Sequence, residues 1–164
     1  MRAALFGGTF NPIHYGHLRI AEEVRESLGL DRVIFVPAQT PPHKPDAPKV
    51  SALKRLEMVG LAIEGNPFFD VSDIEIKRGG RSYTIDTVRE FKKGSRKDSS
   101  ISLIVGSDSF TDIIAWCEYG LLFELVSFIV VPRPGVPVKK PAEALPVELA
   151  RKFWYDAASD SYMS

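Results

Sequence analysis

The sequence predicts an α/β fold with a doubly wound parallel sheet of about five strands. Three observations carry this. Short apolar runs alternate along the chain with helical patterns, the βαβα order of that class. Four of the runs are almost continuously hydrophobic, as strands buried on both faces of a parallel sheet are. Polar, Gly- or Pro-rich stretches follow the strands, and ligands bind at those carboxyl ends.

The strands are read at "AALF" (3–6), "VIFVP" (33–37), "FFDVSDIEI" (68–76), "ISLIVG" (101–106) and "LVSFIVVP" (125–132). They are rich in β-branched and aromatic residues and mostly followed by Gly or Pro. The third alternates only loosely and is placed toward an edge. Between the first two, Leu18, Ala21, Val24 and Leu28 keep a 3–4 spacing and Gly29 follows as a C′ stop. Ser51 caps a second predicted helix whose apolar face is Leu53, Leu56, Val59 and Ile63, with Gly65 beyond. A third runs from about Ile85 to Lys93. "PAQTPPHKPDAPK" (37–49) is too short for a domain linker and reads as a surface loop over a site.

The 164 residues suffice for one domain with a real core, and 45% apolar with 26% charged content is ordinary for a globular chain. A formal net charge of zero argues against a general nucleic-acid or membrane-surface binder, while local anion sites remain open. One cysteine, Cys117, allows no internal disulfide, so a cytoplasmic setting is expected. No stretch approaches the roughly 20 apolar residues of a membrane helix.

"GGTFNPIHYGH" (7–17) is the densest polar stretch. Gly7 and Gly8 permit positive φ and close approach of a ligand. His17 falls in the first turn of the next helix, where unpaired N–H groups and the dipole attract an anion. His14, three residues earlier, can face the same anion. An ordinary strand-to-helix turn with exposed histidines is the competing reading. Zinc ligation is disfavoured, because His43 is the one further histidine and Cys117 is far along the chain.

Here the residues resemble a known family. "GGTFNPIHYGH" carries the HxGH element of the nucleotidylyltransferase superfamily at His14, Gly16 and His17. The ordered series "GGTFNPIHYGHL", "VPAQTPPHK", "RGGRSYTIDT", "VGSDSF" and "VVPRPG" looks like the bacterial nicotinate-nucleotide adenylyltransferases, from Met1 to about Gly135. The resemblance implies a Rossmann-like fold and adenylyl transfer from ATP to nicotinate mononucleotide, with pyrophosphate released. It implies catalytic roles for His14 and His17, and ATP contacts for Gly8, Thr9, Phe10, His14, His17, Gly106 and Asp108. Lys44, Thr84, Trp116, Cys117 and Arg133 are implied to bind the mononucleotide. Mg2+ would ride on the ATP phosphates, with no resident metal site; nothing in the sequence excludes a homo-oligomer.

Plainer readings stand beside several of these. Lys44 and Arg133 are also ordinary solvated charges, Ser82 or Thr84 helix caps, Asp108 a turn residue, and Trp116 a core residue. The Cys117 thiol is expected to be buried and inert. Family members usually continue into an "ISSTxIR"-like motif, which "ELARKFWYDAASDSYMS" (148–164) lacks. The expectation is a single nucleotidylyltransferase domain over 1–164 with its C-terminal part truncated. Two alternatives follow: a nucleotide-binding remnant impaired in catalysis, or a related transferase acting on nicotinamide mononucleotide or pantetheine phosphate. The "SYTIDT" and Trp116 context favours nicotinate.

Overall fold

The computed structural model describes residues 1–41, 49–95, 99–132, 140–156 and 161–164. Its strands are β1 (Arg2–Gly8), β2 (Arg32–Pro37), β3 (Phe69–Val71), β4 (Ser100–Gly106), β5 (Ser127–Val131), β6 (Trp154–Asp156) and β7 (Ser161–Met163). They form one sheet in the order β3-β2-β1-β4-β5-β7-β6. The first five strands are mutually parallel, with Leu5 of β1 opposite Ile34 on one side and Leu103 on the other. β7 runs antiparallel to β5, placing Met163 opposite Ile129, and β6 closes that edge. The sheet therefore reverses its winding between β1 and β4, which opens a crevice at their carboxyl ends.

The helices are α1 (Tyr15–Leu28), α2 (Ala52–Ile63), α3 (Ile74–Arg78), α4 (Thr84–Gly94), α5 (Ser107–Thr111), α6 (Tyr119–Leu125), α7 (Pro141–Ala144) and α8 (Val147–Ala150), with a 3-10 turn at Ile113–Ala115. Because strand side chains alternate, β1 feeds two cores. Ala4 and Phe6 enter one with Val24 of α1, Phe35 and Val59 of α2. Leu5 enters the other with Val36, Val88 of α4, Leu122 of α6 and Phe128.

α1 ends as the sequence predicts. Gly29 takes φ 59°, and the N–H groups of Gly29 and Leu30 donate to the Glu26 and Arg25 carbonyls at 3.2 and 2.9 Å, the bonds of a Schellman motif. Ser51 caps α2 by accepting from the Lys54 N–H at 3.4 Å, and α4 covers the third predicted helix.

Four expectations need correction. The strand read over 68–76 stops at Val71, and Ile74–Arg78 turns into helix α3; only its edge position holds. Among the described residues the sheet has seven strands, because two three-residue strands near 154 and 163 extend it, too short to carry a periodic signal. Gly7 and Gly8 lie inside β1 without positive φ, and the left-handed residue of the turn is Phe10 at φ 46°. On α2, Leu53 is exposed, and Arg55, in phase with Val59 and Ile63, takes its place on the buried face.

Candidate active site

At the carboxyl ends of β1 and β4 lies a cavity of about 200 Å³. That falls short of the roughly 300–1,000 Å³ that encloses a whole drug-sized ligand. It suits one ring-sized part, with the remainder lying along the crevice. Gly8 and Thr9 form one lip, Gly106 the floor, Thr84 one wall, and Trp116 with Cys117 the opposite side.

Each wall is held by a definite contact. Gly8 leaves little room for a side chain: a Cβ there would sit 3.0 Å from the ring of Phe10, which would have to give way by a few tenths of an ångström. That ring is buried and packs edge-on to Phe6 at 5.8 Å and to His17 at 5.1 Å. Only the backbone of Phe10 is therefore available to a ligand. Thr84 opens α4, so its N–H is one of those that a helix start leaves unpaired. The turn bearing Trp116 and Cys117 is tied to α4 by a two-pronged pair, in which Arg89 donates to both oxygens of Glu118 at 2.9 and 3.0 Å. Trp116 is half-buried against the second core.

The Cys117 expectation also fails, since the thiol is exposed at the cavity. The 3-10 turn before it and the left-handed Glu118 (φ 50°) after it carry this residue away from the core.

The histidines form a second half-site beside the Gly8–Thr9 lip. His14 is the N-cap of α1 and His17 its third residue. Their rings stack at 3.8 Å between centroids, 30° from parallel. The His14 N–H donates to His17 Nδ1 at 3.2 Å, which fixes the proton of a neutral His17 on Nε2 and makes that nitrogen a donor. No acidic residue occupies the first turn of α1, so nothing there opposes the positive end of the helix. Gly106 ends β4, and Asp108 follows as the second residue of α5. Lys44 and Arg133 lie outside the described residues.

Two buried charged groups near the cavity are absent from the sequence reading. Arg55 is 1% exposed and has no carboxylate partner among the described residues. It donates instead to the carbonyls of Thr9 (2.5 Å), Ala38 (2.6 Å), Gln39 (3.3 Å) and Val50 (3.3 Å). Burial lowers its pKa. Its signal was helical phase alone, four residues before Val59. Glu75 lines the cavity from α3 and accepts from the Thr87 hydroxyl at 2.6 Å. Arg78 Nη2 donates to that hydroxyl at 3.0 Å, and its Nη1 pairs with Glu90. Reading 74–76 as strand hid this carboxyl.

Burial holds the Glu75 carboxyl above the usual carboxylate range, although Thr87, Ser82 and the Arg78 charge each pull it down. A raised carboxyl supports folding fully below its unfolded value, and that contribution is lost as pH rises through the folded one. Glu75→Gln keeps the acceptor for Thr87 and cannot ionise. Its stability relative to the parent chain is expected to improve from pH about 4 to about 7. Urea denaturation at both values checks this, and an equal difference at both contradicts it.

Residues 5–162 match the family model described as "Cytidylyltransferase-like". The chain belongs to the cytidylyltransferase-like family. Its relatives include proteins named "Probable nicotinate-nucleotide adenylyltransferase". That of Citrifermentans bemidjiense is 56% identical over 159 residues, 97% of this chain and 73% of that protein. That of Geotalea daltonii is 54% identical over 158 residues, 96% and 73% of the two chains. Among solved structures, the "Plasmodium falciparum nicotinic acid mononucleotide adenylyltransferase complexed with NaAD" is similar with a TM-score of 0.73 at 19% identity. The match covers 92% of this chain and 70% of that one, and it places this family member in the Rossmann-like fold. Among the described residues no helix is long and apolar enough to cross a membrane, and no three His, Cys, Asp or Glu cluster to hold a metal.

Proposed function

We propose that the chain transfers the adenylyl group of ATP to nicotinate mononucleotide, giving nicotinate adenine dinucleotide and pyrophosphate. The observation that carries this is the turn after β1, whose Gly8 and Thr9 line a ring-sized cavity and whose Phe10 packs on His17 at the start of α1. The names of relatives above 50% identity support the substrates. They give the impaired-remnant alternative no support.

In this reading a phosphate oxygen of the mononucleotide attacks the α-phosphorus of ATP in line. A new P–O bond forms as the bond to the β-phosphate bridge breaks, and pyrophosphate leaves with the electron pair. The nucleophile is already an anion, so the protein has to position and to stabilise charge. His14 and His17 donate to the α-phosphate and the departing pyrophosphate. Gly8, Thr9, the Phe10 backbone, Gly106 and Asp108 hold the ATP side. Thr84 and Cys117 offer backbone N–H groups to the ring carboxylate, and Trp116 a flat wall to the ring. Lys44 and Arg133 are read as contacts to the mononucleotide phosphate. The divalent cation on the ATP phosphates, taken as Mg2+, supplies neutralisation of charge there. The setting is read as cytoplasmic, and residues 1–164 as one nucleotidylyltransferase domain.

A coupled pyrophosphate assay with ATP and either the acid or the amide mononucleotide tests this. The acid is expected to turn over about a hundredfold more efficiently, because donors built for a carboxylate are left unpaired by the amide. Equal rates, or none, contradict the proposal.

A further inference from the structure

Arg55 ties together, through their peptide groups, two segments that line the cavity. A trans peptide points its C=O and N–H in opposite directions, so a group that captures one also aims the other. Arg55 Nη1 takes the Thr9 carbonyl at 2.5 Å, which turns the Phe10 N–H of that peptide away from Arg55. Its Nη2 takes the Ala38 carbonyl at 2.6 Å. The N–H of that same peptide, carried by Gln39, donates to Ser82 Oγ at 2.8 Å. The Ser82 N–H in turn donates to the Thr40 carbonyl at 3.0 Å. Ser82 stands two residues before Thr84, which opens α4 at the cavity wall.

One guanidinium thus fixes the turn after β1, and through a single peptide unit the segment that carries the opposite wall. The planar fork is suited to this, since its donors leave in fixed directions. A cation stripped of water with no carboxylate among the described residues is costly to keep. A leucine or methionine would fill the same place on α2 but leave the Thr9 and Ala38 carbonyls without this donor.

We propose that Arg55 is a positioning residue that sets the phosphate cradle and the mononucleotide wall in register for transfer. The inference rests on the substrates proposed above. Arg55→Lys retains the charge and loses the fork. Misplacing reacting groups by about 1 Å costs on the order of a hundredfold in rate.

The expected result for Arg55→Lys is a kcat lowered by about that factor. Calorimetric binding of ATP alone and of nicotinate mononucleotide alone should keep unit stoichiometry, with each affinity within about threefold of the parent's. In Arg55→Ala, guanidinium chloride at millimolar concentration should recover kcat at least about tenfold. A folded Arg55→Lys with near-parental kcat overturns the proposal, as does a loss of kcat that tracks lost binding stoichiometry. Should neither Arg55 variant fold, Ser82→Ala frees the other side of the Ala38–Gln39 peptide. It is expected to lower kcat about tenfold with both affinities held, and an unchanged kcat overturns the proposal. An inactive parent chain contradicts the substrates instead. Arg55 is then judged by hydrogen exchange at residues 8–10 and 38–40, which should quicken in Arg55→Lys and refutes the role if it does not.

Discussion

His17→Ala is expected to lower kcat by about two to three orders of magnitude, the effect of deleting one donor aimed at developing negative charge, near 3–4 kcal/mol. The geometry singles this residue out over its neighbour. The His14 N–H occupies Nδ1 of His17, so the ring has one nitrogen committed to the cap and presents the other as a donor. The edges of Phe10 at 5.1 Å and Phe6 at 6.0 Å hold the ring, so little reorientation accompanies the reaction. His17 is one of several ATP contacts and its donor matters most as charge moves onto the departing pyrophosphate, so the loss should fall mainly on kcat and less on KM. Steady-state pyrophosphate release at saturating ATP and nicotinate mononucleotide checks this, with the thermal midpoint recorded alongside. A stable variant within about threefold of the parent kcat removes His17 from the chemistry.

Phe35→Ala is expected to cost about 3–5 kcal/mol of folding stability. Phe35 is fully buried in β2 and meets Phe6 at 5.6 Å, Phe10 at 5.8 Å and Phe69 at 5.4 Å. Few neighbours can collapse into the space it leaves, because two of them belong to adjacent strands with fixed spacing. Domains of this size lose about 2–4 °C of midpoint per kcal/mol, so the drop should be about 6–20 °C. Phe10 would also lose a packing partner, and Phe10 is the ring against which Gly8 is set. Denaturant unfolding gives the number, and a loss below about 1 kcal/mol contradicts the packing argument.

The parts of the fold legible in the sequence are those with period or punctuation. Continuous apolar runs located the four buried parallel strands, and Gly29 and Ser51 marked helix ends by chemistry that is local to them. Gly7 and Gly8 permit a left-handed turn, yet that position falls to Phe10, and Gly8 instead leaves room for the ring that packs upon it. α3 was hidden because "IEI" alternates like a strand, and burial of Glu75 against Thr87 is a tertiary fact. Arg55 was hidden for the same reason: charge type outweighed helical phase. Cys117 was expected inside on composition, and the backbone around Glu118 places it outside. The site motifs fared better, since Gly8, Thr9, Thr84, Gly106, Trp116 and Cys117 do converge on one cavity.

The central position of β1 has a kinetic consequence. β1 pairs with β2 across a single helix, but its other partner is β4, and the pairing of Arg2 with Ser100 closes a loop that spans β2, β3 and helices α1 to α4. The histidine cradle belongs to the local β1–α1–β2 unit. The floor at Gly106 comes with the distant strand, whose closure entropy must be met before its contacts are gained. The anion cradle thus lies within one local unit, whereas the pocket exists only where residues as far apart in the chain as Arg2 and Ser100 are paired.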